Sequence, residues 1–343
     1  MSEKYTAETV LVVDDSPINL DILTDILTDQ YRVETAEDGE QAIKLAEISS
    51  PDIILLDITM PDVDGYEVCR RLKRNPKVNK IPVIFVTARG ESEDESLGFQ
   101  VGAVDYIIKP FSPPIVKERI KIHLRLQNQN RVLEEKVRQR TMELHDSRLE
   151  VIRSLGMAAE YKDNETGLHV LRMSHYAAII GRAMGKSEVE CDLILNAMPM
   201  HDVGKIGIPD NVLLKAGKLD SEEWNIIKKH PEIGAKIIGT HNDPLLHMAR
   251  EVALTHHEKW NGKGYPNGLA GKDIPLSGRI CAVADVFDAL TTERPYKKAW
   301  SVPEALDFLQ QFSGEHFDPD MVTIFIGEID EVMKIKEKYS ESA

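Results

Sequence analysis

Histidine is unevenly spread along the 343 residues: of eleven, only His123 and His145 precede residue 169. Five of the others stand at spacings that can do chemistry, namely His169, His201, His230, His256 and His257. Glu165 and His169 are four residues apart, so on a helix they share a face. Lys205 follows His201 by four residues and Asp202 by three, which puts all three near one helical face, and Gly204 permits a close approach. The adjacent His256 and His257 diverge by about 100° on a helix and can face two different ions. Asp285, in the apolar run Ala282-Val283-Ala284, is costly to bury without a cation or a partner. A single histidine is more often a capping or surface residue than a ligand. The set, however, offers only nitrogen and oxygen donors and exceeds the four ligands of a structural zinc site. Such donors suit iron or manganese and, less selectively, zinc, and imply more than one ion. Two or three ions about 3.5–4 Å apart suit phosphodiester hydrolysis. Asp202 would be the bridging carboxylate, and Lys205 would stabilise phosphoryl oxygens.

A second constellation lies earlier in the chain. Asp14 and Asp15, Asp57, Thr87 and Lys109 each stand at the end of a short β-branched run. In a parallel sheet these ends share one edge. Three clustered carboxylates repel one another unless a cation sits among them, and hard oxygen donors favour Mg²⁺. A carboxylate beside Mg²⁺ can act as a nucleophile toward phosphorus. Lys109 and Thr87 would then hold the transferred phosphoryl oxygens.

The elements that position these residues can be read from periodicity. The runs 9–13, 52–56, 81–86 and 105–108 read as buried strands. Amphipathic stretches separate them: one opens on Ser16-Pro17 and continues through Leu20, Leu23 and Leu27, and others span 39–48, 65–74 and 91–101. Alternation with short loops predicts a parallel sheet covered on both faces, with ligands at the carboxyl ends of the strands. From 114 to 153 there is no glycine, and charge and long helix formers dominate. Leu126 and Leu133 are seven apart, as are Val137, Leu144 and Val151, which predicts one long helix able to pair as a parallel coiled coil. The seam is imperfect, since Asn130 and Arg140 fall at neighbouring core positions. Beyond Gly156 helices are expected at 170–184, 188–200, 221–230, 231–239, 244–257, 276–291 and 302–312.

Composition narrows the classes. Hydrophobic residues at 42% and charged residues at 29% are ordinary for a globular chain. The net charge of -15 argues against a nucleic-acid coat, and no basic recognition helix follows residue 120, so no DNA partner is expected. No apolar run reaches the length a membrane helix needs, and the N-terminal residues are too acidic and polar for a secretory signal. Cys69, Cys191 and Cys281 are scattered and odd in number, which fits buried apolar residues. A cytoplasmic location without membrane attachment is the expectation.

Two resemblances follow from the residues above. Residues 8–122 resemble a response-regulator receiver domain, through Val13-Asp14-Asp15, Leu56-Asp57-Ile58-Thr59-Met60-Pro61, Val86-Thr87-Ala88 and Lys109-Pro110-Phe111. The resemblance implies a five-stranded flavodoxin-like fold with Asp57 as phosphoacceptor. It also implies Mg²⁺ held by Asp14, Asp15, Asp57 and the carbonyl of Thr59, and Tyr106 as the aromatic switch residue. Residues from about 150 to 335 resemble the HD-GYP subfamily of HD-domain phosphodiesterases. The signatures are His201-Asp202-Val203-Gly204-Lys205, the run from His256 through Gly264-Tyr265-Pro266, Asp285-Val286-Phe287-Asp288, and Arg294-Pro295-Tyr296-Lys297. This resemblance implies hydrolysis of cyclic di-GMP or of 3′3′-cyclic GMP-AMP. It implies His169, His201, Asp202, His230, His256, His257 and Asp285 as metal ligands, with Glu165 as the extra ligand of three-metal members. Lys205 and Asp202 would lie at the hydrolytic centre. Arg294 and Lys297 would contact phosphate, and Tyr265 the ligand.

The expected architecture is thus an α/β doubly wound receiver over 1–122, a helical linker over 123–152 and an all-α HD-type domain over 153–343. The expected function is a two-component output enzyme. A sensor histidine kinase phosphorylates Asp57, the long helix carries the change within a homodimer, and two or three ions of iron or manganese serve cleavage of a cyclic dinucleotide. The rival reading is an adaptor with a vestigial metal site, whose Gly264-Tyr265-Pro266 loop engages a partner such as a diguanylate cyclase.

Overall fold

The computed structural model describes residues 8–88, 97–163, 167–293 and 298–340. It divides into two compact units, 1–141 and 142–343.

The first unit is built on five parallel strands, β1 (Thr9–Val13), β2 (Arg32–Ala36), β3 (Ile53–Asp57), β4 (Val83–Ala88) and β5 (Asp105–Lys109), in the order β2-β1-β3-β4-β5. Successive side chains alternate between two buried faces, as the pleat requires. Leu11, Val13, Ile54, Leu56, Val83 and Phe85 pack with helices α2 (Gly39–Ser49) and α3 (Gly65–Arg74). Val10, Val12, Ile53, Leu55, Ile84 and Val86 pack with α1 (Pro17–Leu27) and the start of α4 (Pro113–Lys162). Burial on both faces explains why β1, β3 and β4 read as unbroken apolar runs. The periodicity reading had not picked out β2. It is an edge strand whose Arg32 and Glu34 form an ion pair at 3.3 Å, and an edge has no need of a continuous apolar run. The helix expected at 91–101 lies largely outside the described residues, and its end is helical over 97–100.

Helix α4 is longer than expected, with 50 residues ending at Lys162. Gly156 does not interrupt it, because glycine there serves a close approach: a Cβ would stand 2.2 Å from the carbonyl oxygen of Pro199. Leu126, Leu133, Val137, Leu144 and Val151 are all exposed along its middle.

The second unit is helical. After α4 come α5 (Gly167–Ala183), α6 (Glu188–Ala197), short α7 (Asp210–Leu213), α8 (Ser221–Ile227), α9 (His230–Ile238), α10 (Pro244–Thr255), α11 (Leu276–Thr291), α12 (Val302–Gln311), α13 (Pro319–Gly327) and α14 (Ile329–Lys338). Residues 198–200, expected as α-helix, form a tighter 3₁₀ turn. Several starts are fixed by reciprocal caps, Ser187 with Glu190, Asp220 with Glu223 and Ser301 with Glu304. A core centred on Tyr176, Val283, Phe287 and Phe325 joins α5, α11 and α13. The three cysteines are free and buried, as their scatter predicted. Among the described residues no helix is long and apolar enough to cross a membrane.

Candidate metal centre and phosphoacceptor site

The candidate ligand histidines of the second unit come from separate pieces of helix-turn structure, except that His256 and His257 share one. His169 sits on α5, His230 opens α9, and His256 and His257 follow the last residue of α10. His201 and Asp202 lie between two 3₁₀ turns, Met198–Met200 and Val203–Gly207. The expected single helical face for His201, Asp202 and Lys205 is therefore replaced by a tight turn. It still converges, with Nζ of Lys205 2.8 Å from Oδ2 of Asp202. Gly204 makes the turn possible, since a Cβ there would stand 1.8 Å from the carbonyl oxygen of His230.

Three overlapping donor groups result, each with its ligand atoms within 4.8 Å of one another: Asp202 with His230, His256 and His257; His169 with His201 and Asp285; and Glu160 with His201 and Asp202. His256 and His257 fall in the same group, with ring centroids 4.1 Å apart. They share one candidate ion site rather than facing two, although His256 at the C-cap of α10 keeps helical backbone angles.

The ring nitrogens turned away from the centre fix the tautomers. Nδ1 of His201 lies 3.1 Å from the carbonyl of Met198, that of His230 2.8 Å from Ile227, and that of His256 3.0 Å from Val252. A carbonyl can only accept, so each Nδ1 donates and each Nε2 of a neutral ring presents a lone pair inward. Those lone pairs meet oxygens. Nε2 of His230 is 3.1 Å from Oδ1 of Asp202, Nε2 of His256 is 3.4 Å from it, and Nε2 of His201 is 3.3 Å from Oδ2. Despite this proximity, Oδ1 of Asp202 and Nε2 of His201 are buried without a hydrogen bond. Acceptors facing acceptors in a buried site are held together by a positive charge between them, a proton or a metal ion. The protonation balance shows the same demand. Burial opposes a charged His201, yet Asp202 raises its pKa to about 9. Burial likewise opposes a charged His169, and Asp285 and Asp288 hold it well above the usual imidazole range. Asp202 and Asp285 are held below the carboxylate range by their cationic neighbours, against burial. The all-N/O donor chemistry and the orphaned atoms fit divalent cations.

Around this set stand residues that sequence reasoning missed. The carboxylate of Asp288, fully buried, accepts from Nδ1 of His169 at 2.8 Å and from Nε and Nη2 of Arg172, each at 2.8 Å. A carboxylate behind a ligand histidine fixes ring orientation and raises its basicity. The signal was in the spacing: Asp288 follows Asp285 by three residues, and Arg172 follows His169 by three. Asp163 pairs with Nζ of Lys205 at 2.6 Å. Glu258 accepts from the backbone of Asn267 and of Leu269 at 2.7 and 3.0 Å, and so shapes the loop bearing Tyr265. The ring of Tyr265 stacks on His257 at 4.7 Å, and burial raises its hydroxyl pKa. His169, Asp202, Lys205, His257, Tyr265 and Asp285 line a cleft of about 290 Å³, together with Trp224 and other apolar residues. Glu165, Arg294 and Lys297 lie outside the described residues.

In the first unit, Asp14, Asp15 and Asp57 gather at the carboxyl ends of β1 and β3. Nζ of Lys109, at the end of β5, reaches Oδ2 of Asp14 at 2.9 Å and Oδ1 of Asp57 at 3.1 Å. Burial and then the Asp14 charge raise the pKa of Asp57, against the pull of Lys109. Asp15 is exposed, and Thr59 lies in the loop two residues beyond Asp57. The hydroxyl of Thr87 donates to the carbonyl of Ala88 at 3.1 Å. Tyr106, half-buried on β5, lies under the guanidinium of Arg119 at 5.3 Å.

Comparison with known proteins agrees with both units. A response regulator receiver domain model matches residues 10–121, and an HD domain model matches 147–321. The "Probable cyclic di-GMP phosphodiesterase" of Vibrio cholerae is 40% identical, over 97% of this chain and 80% of the relative. The "Cyclic di-GMP phosphodiesterase response regulator RpfG" of Xanthomonas campestris is 38% identical, over 91% of this chain and 85% of the relative. The "3'3'-cGAMP-specific phosphodiesterase 2" of Vibrio cholerae is 45% identical, over 57% of this chain and 37% of the relative. With a receiver domain, an HD domain and relatives matched over most of their length, this chain belongs to the cyclic di-GMP phosphodiesterase family of response regulators.

Proposed function

We propose that this chain hydrolyses cyclic di-GMP, or 3′3′-cyclic GMP-AMP, to the linear dinucleotide under the control of phosphorylation at Asp57. The observation that carries the reading is the inward ring of histidine lone pairs around Asp202, which repel unless a cation lies between them. His169, His201 and Asp285 are suited to one ion and His230, His256 and His257 to another, with Asp202 common to both. Glu165 is the ligand proposed for a third. Iron or manganese matches the donors. When bound, the ions supply charge stabilisation at the phosphoryl group and an activated water. The chain's own residues do the rest. Lys205, held by Asp163 and Asp202, keeps a cation in the cleft where charge develops on the phosphoryl oxygens. Tyr265 provides an aromatic wall, and Arg294 and Lys297 are the proposed contacts to phosphate.

The control element is the receiver, taken as 1–122, with 123–152 as linker and 153–343 as the catalytic domain. A sensor histidine kinase is the proposed phosphodonor. Asp14, Asp15, Asp57 and the carbonyl of Thr59 would hold Mg²⁺, with Thr87 and Lys109 on the phosphoryl oxygens. The exposed apolar residues of α4 at seven-residue spacing support a homodimer joined along that helix.

The test is anaerobic turnover of Fe(II)- or Mn(II)-loaded protein with both cyclic dinucleotides, beside Asp202→Ala and with beryllium fluoride as phosphoryl mimic. Linear product lost in Asp202→Ala, at a rate the mimic changes, is expected. Full turnover by Asp202→Ala would overturn the site. A rate indifferent to the mimic would overturn the control.

A further inference from the structure

Glu160, on α4, is 1% exposed, and both its carboxylate oxygens lack a hydrogen-bond partner. A buried carboxylate left unpaired costs several kcal/mol, so its retention calls for a counter-charge. Lys205 supplies only a distant and shared one: its Nζ pairs with Oε1 of Glu160 at 4.0 Å but sits closer to Asp163 and Asp202. What Glu160 does face is the centre, where its ligand atom lies within 4.8 Å of those of His201 and Asp202. Those two residues contribute the other orphaned buried atoms of the site, Nε2 of His201 and Oδ1 of Asp202.

The backbone explains the placement. Gly156 lets α4 close onto the carbonyl of Pro199, just before the His201-Asp202 turn. Glu160 is four residues further along α4, one turn on and on the same face. The approach that needs a glycine at 156 therefore delivers a carboxylate at 160 to the metal side of the turn.

We infer that Glu160 is a ligand of the metal centre, joining His201 and Asp202 on one ion. This rests on the reading of the site as a metal centre, and it assigns a donor that neither sequence motif contains. It also places one ligand on α4, the helix that begins in the receiver unit.

The experiment uses the full chain, stripped of metal and titrated with Mn(II), with bound metal counted by equilibrium dialysis and elemental analysis. Glu160→Gln keeps the volume and removes the charge. It should bind about one ion fewer per chain or bind its weakest ion at least tenfold less tightly. It should gain less thermal stability on metal addition, while the metal-free variant melts no lower than the parent, because a buried unpaired charge is gone. Equal stoichiometry, equal affinity and an equal metal-induced shift would overturn the assignment while leaving the metal site intact. A parent chain that binds no Mn(II) would overturn the metal reading itself. If Glu160→Gln does not fold, anomalous scattering from Mn(II)-soaked parent crystals decides: an ion within about 2.0–2.6 Å of a Glu160 oxygen is expected, and ions only beyond bonding distance refute it.

Discussion

Replacing Asp288 with alanine removes the carboxylate that pairs with the guanidinium of Arg172, which is 2% exposed, and frees the ring of His169 to turn. Breaking a buried pair on one side costs about 3–5 kcal/mol, so denaturant unfolding of Asp288→Ala should show a loss of that order and a reduced metal affinity. A second expectation concerns His316. Burial and then Lys259 push its pKa down from 6.5 to about 4. Above pH 6.5 the ring is neutral folded and unfolded; as pH falls toward 4, the unfolded chain takes up a proton that the fold disfavours, and stability is lost across that window. His316→Phe lacks this loss. Its stability relative to the parent should therefore rise on acidification by on the order of 1 kcal/mol, discounted for a ring that is only half-buried. An unchanged difference between pH 7 and 4.5 would refute the assignment. The histidines that converge with Asp202 and Asp285 were legible in sequence because their chemistry is unusual for their surroundings. Asp288, Arg172, Glu160 and Glu258 were not, because a charged residue whose partner is distant in sequence looks like any solvated charge until the fold pairs it.

At the scale of elements, the 3₁₀ turn at Val203–Gly207 brings Lys205 to Asp202 by packing its backbone against the start of α9. Gly204→Ala sets a methyl group 1.8 Å from the carbonyl of His230 and 2.5 Å from the nitrogen of Gly234. Neither is a movable side chain. Overpacking of this kind costs about 1–3 kcal/mol, and here it also displaces a ligand histidine. Thermal unfolding of Gly204→Ala should fall accordingly, with weaker metal uptake, and a variant equal to the parent in both would contradict the packing. Strand and helix interiors were readable because burial imposes a period on them. Boundaries were less so. The helical period carried through 198–205 made an α-helix of two 3₁₀ turns. The edge strand β2 has the mixed sequence RVETA and lacked the apolar run that marked β1, β3 and β4.

For the molecule as a whole, a receiver and an HD domain are carried on one chain, and α4 is continuous from the first compact unit into the second. That continuity would give the proposed phosphorylation at Asp57 a covalent route to the helix that bears Glu160. The order of parts was legible because each carries a dense local motif. A bridging role for Asp202 was legible too, but the grouping of the donors was not, since it depends on how separate helices and turns pack around His201 and Asp202. The claim on which everything else rests is that hydrolysis needs ions at this shared site. Its most direct test is to titrate Mn(II) anaerobically into metal-stripped protein while recording cleavage of cyclic di-GMP against ions bound per chain. The account predicts no cleavage in the stripped protein, and activity that rises as a second ion binds and is absent from Asp202→Ala at the same occupancy. Cleavage by the metal-free chain, or silence toward both cyclic dinucleotides with the sites filled, would contradict it.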